Sequence, residues 1–407
     1  MKIGVLVDSI KFGGVEKIAA QEVMHLLQMG HDASLLVLNE RTSDSSALKY
    51  MSEDIPVTYL DRKLPRFLKL TFRIPPFYFF SLFHLTYPIF LPWTLRKNEY
   101  EIIVSHNTYT TFTGITLSKA IGAYCISYIH DPVSYIIRKV YKDRLPKLLG
   151  SVLAVCSLIV DWVLVNSTNE TLTQAQQHFE ALEKLARYPA KIRLIAPGYN
   201  RAPEIRRQRG NYLITVSAWK EGKELEGLLD VQSSLKQMPI KIVGKWVHED
   251  YLERFKKLIH ERGVAEWVEI VGYVSEEQLT DIYANARALV VLNDEVGFCM
   301  PALEAAGNGC PFIVPSQCGV AKYFSSTTEA LYFDHGDTEA LSKKISIVSG
   351  NERTAFGIGY KAWEQSKNLS WLSHCKSLLL QFKPTLKSSG QLASQESRSE
   401  VMAGGVR

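Results

Sequence analysis

The sequence has no cysteine pair at metal-binding or redox spacing: Cys125, Cys156, Cys299, Cys310, Cys318 and Cys375 are scattered, with no C-x-x-C among them. That pattern excludes a zinc ribbon and argues against a disulfide framework. The opening MKIGVLVDSI has neither the basic start nor the long apolar stretch of a secretory signal, so a reducing, cytoplasmic setting is expected. Charge of one sign is also scarce. A formal net charge of +5, with 22% charged residues and no base-reading motif, excludes a nucleic-acid binder. A phosphorylated ligand or an anionic membrane surface would need only a local basic patch. No strict G-x-G-x-x-G occurs, which counts against a dinucleotide cofactor, and neither a Walker loop nor a Ser-His-Asp ordering is found. An Asp-x-Asp pair, which would hold a divalent cation on a diphosphate, is missing, with Asn293-Asp294-Glu295 the nearest approach. No cofactor and no metal are therefore expected.

What is present is a long series of short apolar runs. A chain of 407 residues, 46% of them hydrophobic, suits two domains that can each bury a core. The runs at 2–7, 34–38, 101–104, 124–129 and 162–165 read as buried parallel strands, and those at 212–216, 240–243, 267–271, 288–292 and 311–314 form a second series. Helical stretches alternate with them, which predicts an α/β fold of two doubly wound sheets that bind ligands at the carboxyl ends of their strands. Residues 197–211, PGYNRAPEIRRQRGN, lack hydrophobic periodicity and read as an exposed linker, placing domains at 1–197 and 211–363. Residues 384–407 are polar and rich in small residues, and read as a disordered tail.

The stretch from Ile74 to Leu95 has no Asp, Glu, Lys or Arg and is dense in aromatics. Its length would permit a membrane span, but Pro75, Pro76, Pro88 and Pro92 interrupt helical hydrogen bonding, and no second apolar stretch is evident to return the chain. Two readings stay open. One is a pair of buried helices; the other is a patch dipping into a membrane, flanked by Arg62, Lys63, Arg66, Lys69, Arg73, Arg96 and Lys97.

The first strand ends in DSIKFGGVEK and leads into a helical stretch, which sets Gly13 and Gly14 in a turn where bare backbone can approach a phosphate or a sugar. Residues 291–315, VLNDEVGFCMPALEAAGNGCPFIVP, carry the strongest signal. A strand runs into a loop of Gly297, Phe298, Cys299 and Met300, and Pro301 suits a first helical turn because its missing N–H costs nothing there. Gly307 and Gly309 stop that helix. Unpaired N–H groups at its start suit a pyrophosphate, and Glu304, about one turn in, can accept two hydrogen bonds from ribose hydroxyls. His130 falls at the carboxyl end of a strand, followed by Asp131 and Pro132, with His106 and Asn107 on the same sheet edge.

The run from Gly297-Phe298 through Glu304, Ala305-Ala306-Gly307 and Pro311 resembles that of the retaining glycosyltransferases of family four, and the likeness extends over the chain to about Phe382. The resemblance implies the GT-B architecture: two Rossmann-like domains facing across a cleft, with a C-terminal helix at about 364–382, anchored by Trp371, crossing back to the first domain. It also implies roles. Lys223 matches the family's phosphate-binding lysine, while the accompanying arginine falls at Ala218 and leaves Lys220 to substitute. A cation there would stabilise the charge that grows on a leaving nucleoside diphosphate. In the family's Glu-x7-Glu pattern Glu304 is the second acid, and the first falls at Val296, with Glu295 one residue earlier. Gly272, Tyr273 and Val274 match the turn beside the nucleobase, and Ser275 with Gln278 reads as a capping box beyond it. His130 matches a histidine facing the donor sugar.

The expected function is thus retaining transfer of a sugar from a nucleoside diphosphate sugar to a glycan or lipid-linked acceptor, in envelope or exopolysaccharide synthesis. His130, Lys223 and Glu295 are the expected catalytic residues. Gly13, Gly14, His106, Lys220, Gly272, Tyr273, Val274, Gly297, Phe298, Cys299, Met300 and Glu304 are the expected substrate contacts. Expected partners are the nucleotide sugar, the acceptor and an anionic membrane surface, and not nucleic acid. A nucleotide-sugar epimerase or phosphorylase, a non-catalytic nucleotide-sugar binder and an integral membrane protein stay open as alternatives.

Overall fold

The structure, a computed structural model, describes residues 1–11, 13–40, 42–44, 47, 55–65, 73–74, 77–81, 83–139, 146–231, 238–293, 297–380 and 382. The first half builds β1 (Lys2–Val7), α1 (Gly14–Gln28), β2 (Asp32–Val37), β3 (Val57–Tyr59), β4 (Arg73–Ile74), β5 (Phe77–Ser81) and α2 (Phe83–Phe90). It continues with β6 (Ile102–His106), α3 (Thr108–Ile121), β7 (Tyr124–Tyr128), α4 (Val133–Lys139), α5 (Lys147–Ser167), β8 (Glu170–Thr173), α6 (Gln176–Glu183) and β9 (Ile192–Leu194). Seven of these strands form a sheet in the order β3-β2-β1-β6-β7-β8-β9, with every neighbouring pair parallel. Successive side chains serve opposite faces: Ile3, Val5 and Val7 enter one core cluster, and Leu6 enters another. A sheet apolar on both faces needs helices on both, which is why the strand runs read as continuous rather than alternating.

The second half repeats the plan with β10 (Leu213–Val216), β11 (Ile240–Val243), α7 (Glu249–Glu261), β12 (Val268–Gly272), α8 (Glu276–Asn285), β13 (Ala288–Val290), α9 (Met300–Gly307), β14 (Phe312–Pro315) and β15 (Leu331–Phe333). These strands form a six-stranded parallel sheet ordered β12-β11-β10-β13-β14-β15. Three helices follow, α10 (Thr338–Gly350), α11 (Glu352–Ser366) and α12 (Trp371–Leu379). The last returns to the first sheet: Trp371, Cys375 and Leu378 join the core beside α1, and Arg193 donates to the carbonyls of Ser377 and Leu378. Strand order reverses beside β1 in one sheet and beside β10 in the other, and the carboxyl ends at those points open a crevice in each. The two crevices face each other.

Several expectations fail in instructive ways. Residues 162–165 are the last turns of α5 and not a strand, because a short apolar run carries no periodicity to separate a strand from a helix. The strand comes just after, as β8. Helix α5 is itself a second long apolar stretch, contrary to the expectation of only one. The 74–95 region is not a pair of helices: β4 and β5 pair antiparallel, α2 follows, and residues Leu91–Thr94 form a 3-10 turn. Tyr87, Leu91 and Leu95 are buried there, while Ile89 and Phe90 are exposed. Of its expected basic flank, Arg62 is paired with Glu40 and Lys63 donates to the Thr94 carbonyl, whereas Arg66 and Lys69 lie outside the described residues. The 197–211 segment is not simply exposed. Arg209 within it is buried and donates to the carbonyls of Tyr283, Ala284, Ala286 and Asn308, binding the segment to the second domain. The tail at 384–407 lies outside the described residues.

Candidate functional site

Between the two sheets lies a cleft of about 470 Å³, lined from one side by Gly13, Gly14, Lys17 and Gln174 and from the other by loops after β10, β11, β12 and β13. The loop after β10 brings Lys220 and Lys223, and the loop after β11 brings Lys245. These loops are held together: the Trp219 N–H donates to the Lys245 carbonyl at 2.8 Å, and the Trp219 indole to Val243 at 3.0 Å. Three lysines therefore line one wall. Lys245 was not legible in the sequence, because only strand pairing brings it beside Trp219.

The loop before α9 is shaped as expected, with Pro301 in the first helical turn. The Gly319 N–H donates to Gly297 and the Val320 N–H to Phe298, both at 2.9 Å, so the loop is fixed from behind. Phe298 and Cys299 face inward, 1% and 2% exposed, leaving only their backbone to meet a ligand. Gly297 packs against the first domain. A Cβ there would stand 3.2 Å from Gln174 Nε2 and 3.3 Å from Asp131 Oδ1, so any side chain would press on both of these first-domain groups. Gly14, in contrast, faces open space. Asp131, absent from the expected set except as a neighbour of His130, has its carboxyl pushed up to about 6 by loss of water, against the pull of Lys223 and Lys220.

Glu304 is buried and its two oxygens are taken. Oε2 accepts from the Tyr283 hydroxyl at 3.1 Å, and Oε1 from Lys17 Nζ at 3.0 Å. Lys17 also reaches Glu276 at 2.9 Å, so one cation from α1 ties two acids of the second domain. Burial works against the Lys17 charge, but Glu304 and Glu276 outweigh it and hold the ammonium above its ordinary pKa. Lys17 escaped the sequence reading, although it stands one helical turn past the Gly13-Gly14 bend.

His130 and His106 are brought together, but not as direct cleft contacts. His130 is 2% exposed, its carbonyl lies 3.5 Å from the Cβ position of Gly297, and its Nε2 stands 3.0 Å from His106 Nδ1. His106, fully buried, does not face the cleft; its Nε2 donates to Glu22 Oε2 at 2.8 Å. The other Glu22 oxygen accepts from His374 Nε2 at 2.7 Å, and His374 Nδ1 donates to the Ala196 carbonyl at 2.7 Å. Because Glu22 fixes the proton on His106 Nε2, His106 Nδ1 is the acceptor and His130 Nε2 the donor. His130 Nδ1 is then left unprotonated and can only accept, with the Gln174 side chain beside it. Burial, with His106 adding to it, drives the His130 pKa down to about 3, so the ring is neutral near pH 7. Burial would raise the Glu22 pKa, yet His106 and His374 bring it down to about 2, so Glu22 is ionised.

Tyr273 and Val274 line the cleft, with Tyr273 half-exposed. Gly272 does not: its carbonyl accepts from the Gly244 N–H at 2.7 Å, and this bond sets the loop that carries Lys245. The capping box at α8 forms as expected, the Gln278 N–H donating to Ser275 Oγ at 3.2 Å and the Ser275 N–H to Gln278 Oε1 at 2.9 Å. Glu295 lies outside the described residues.

Two parallel, doubly wound sheets facing across a ligand-sized cleft, with the final helix returned to the first, define the GT-B class of fold. The chain belongs to the group 1 glycosyl transferases: residues 200–364 match the family described as Glycosyl transferases group 1, and residues 12–203 match Glycosyltransferase Family 4. It is 29% identical over 171 residues to the O-antigen chain mannosyltransferase B of Escherichia coli, which takes in 39% of this chain. The chain spans 42% of the length of that relative. Among solved structures it resembles the sucrose-phosphate synthase of Thermosynechococcus elongatus, with a TM-score of 0.73 at 16% identity over 98% of this chain and 99% of the other. It also resembles Anabaena HepE in complex with UDP and glucose, with a TM-score of 0.70 at 16% identity over 93% of this chain and 98% of the other. At such identities these structures speak to the fold.

Proposed function

We propose that the protein transfers a sugar, with retention at the anomeric carbon, from a nucleoside diphosphate sugar to a glycan or lipid-linked acceptor at the cytoplasmic face of an envelope. The observation that carries this reading is the convergence of Lys220, Lys223 and Lys245 on the cleft that also receives the start of α9 and Glu304. As the bond from the anomeric carbon to the diphosphate oxygen breaks, negative charge builds on the leaving group, and fixed ammonium groups and helix-start N–H groups are suited to receive it. Glu304 takes the ribose hydroxyls once Lys17 has let go, Tyr273 and Val274 flank the base, and the Gly13-Gly14 turn approaches from the opposite domain. His130, oriented by His106 and Glu22, accepts at Nδ1 from a hydroxyl of the donor sugar once Gln174, its neighbour on the cleft wall, gives way. Glu295 is retained as a donor-sugar contact. The acceptor hydroxyl forms the new bond to the anomeric carbon and gives up its proton to the departing diphosphate oxygen; we assign no enzyme nucleophile. A mannosyl donor is favoured by the likeness to the O-antigen mannosyltransferase.

Because lysines supply the positive charge, no divalent metal is required. The test is release of nucleoside diphosphate from a panel of donors, with and without a membrane-lipid extract as acceptor and with excess EDTA. Acceptor-dependent release that survives the chelator supports the reading. Donor isomerisation without acceptor, or activity abolished by EDTA and restored by magnesium or manganese, overturns it.

A further inference from the structure

Helix α5, Lys147–Ser167, is built inside out. Its charged residues are Lys147 and Asp161, and Asp161 is the buried one. The Asp161 carboxylate accepts from the N–H groups of Val133 and Ser134 at 3.1 and 2.9 Å, capping the start of α4, and Ser157 is buried on the same side. The opposite face carries Leu148, Val152, Val155, Ile159 and Trp162 at spacings of three and four residues, so they stack in one stripe. Leu148 is 81% exposed, and Val152, Val155 and Ile159 are each more than half exposed. A helix that spends its one acid on an internal cap and turns its aliphatic side chains outward is not serving its own core.

The charges around the stripe indicate what covers it. At its far end the Arg187 guanidinium lies over the Trp162 ring, 4.9 Å from the centroid, and Lys191 lies over Tyr188, which is 66% exposed. At its near end stands the exposed Lys147, with Arg138 exposed on α4 just before it among the described residues. Apolar residues bracketed by basic and aromatic ones suit the boundary of an anionic bilayer. At 21 residues the helix is long and apolar enough to span one. It does not span, because β7 and β8, on either side of it in the chain, pair within one sheet and so hold both of its ends on one side of any membrane. Parallel strands also require α5 to run antiparallel to them, which puts its Leu148 end on the cleft side of the domain, toward His130 and Gly297.

We propose that the outer face of α5 docks on an anionic lipid surface and holds the mouth of the cleft beside it. The inference stands apart from the transfer reaction, since docking is measured without turnover. Cys156, on the same face, is the exposed member of six free cysteines and takes an environment-sensitive dye, and the test compares wild type with a Val152→Ser, Val155→Ser, Ile159→Ser variant. Full-length protein is mixed with vesicles of phosphatidylglycerol and phosphatidylethanolamine, or of phosphatidylcholine alone. Expected are co-sedimentation with the anionic vesicles, a blue shift of the dye, release by high salt, and at least a tenfold loss of affinity in the triple variant with its circular dichroism unchanged. The proposal is overturned if no vesicle binding occurs at low salt, if the triple variant binds as wild type does, if salt and alkaline carbonate fail to release the protein, or if the stripe proves to be a dimer contact that the variant dissociates.

Discussion

Lys17 Nζ stands 3.0 Å from Glu304 Oε1, and this pair joins the first helix of one sheet to the ribose-side helix of the other. With Glu276 at 2.9 Å the same ammonium bridges the two sides of the cleft, so a donor that hydrogen-bonds to Glu304 must displace Lys17. Lys17→Met should therefore open the nucleotide-free protein. Small-angle scattering would show a larger radius of gyration than wild type, and superimposable curves would remove the latch.

Glu304→Ala strips the site of its ribose acceptor while leaving the lysine wall in place. Losing a hydrogen bond to a charged group costs about 1.5–3 kcal/mol, which corresponds to a fall in kcat/KM of roughly ten- to hundredfold. The loss should appear in donor KM. Unchanged steady-state kinetics would take Glu304 out of the donor site.

Glu22 orients His130 through His106 and is itself remote from the cleft. Glu22→Gln should lower kcat about tenfold with little change in donor KM, while the melting temperature falls because a buried ion pair broken on one side costs about 3–5 kcal/mol. Kinetics measured well below the variant's melting point separate the two effects. A variant with wild-type kcat would make the relay purely structural.

Acid should unfold the protein earlier than its surface charge suggests. Burial brings His130 down to about 3 and His178 to about 4, from 6.5, so between those values and 6.5 the unfolded chain binds protons that the folded protein refuses. Stability is thus fully present above 6.5 and is lost as pH falls toward 4, at about 1.4 kcal/mol per pH unit for each group. Below 4.5, Glu22 adds to the loss, as its folded pKa of about 2 lies beneath its ordinary one. Urea unfolding at pH 7 and pH 5 checks the slope, which should flatten in a His130→Gln, His178→Gln variant.

The strands at 2–7, 124–129 and 240–243 were legible because a β-branched run between turn signals has little else to become, and the 297–307 turn because Gly and Pro mark backbone geometry directly. The Glu22 relay was hidden for a different reason. Its members come from α1, the ends of β6 and β7, and α12, and only the fold brings them together. Two of them did leave a trace: Glu22 sits on the stripe of Ile18, Val23 and Leu26, and His374 on that of Trp371, Cys375 and Leu378, each a polar residue on a buried helix face. A buried acid on one helix and a buried histidine on another are each half of a pair. Asp161 is the same signal in α5, where the misread 162–165 run concealed it.

The most direct measurement is the thermal stability of wild type, Glu304→Ala and Lys223→Ala against a panel of nucleoside diphosphates. A ligand at a hundred times its dissociation constant adds about 2.7 kcal/mol. The account predicts that at least one nucleoside diphosphate stabilises the wild type to this extent without added metal, and that Glu304→Ala and Lys223→Ala each lose most of the gain. No stabilisation by any of them, or equal stabilisation of all three proteins, would contradict it.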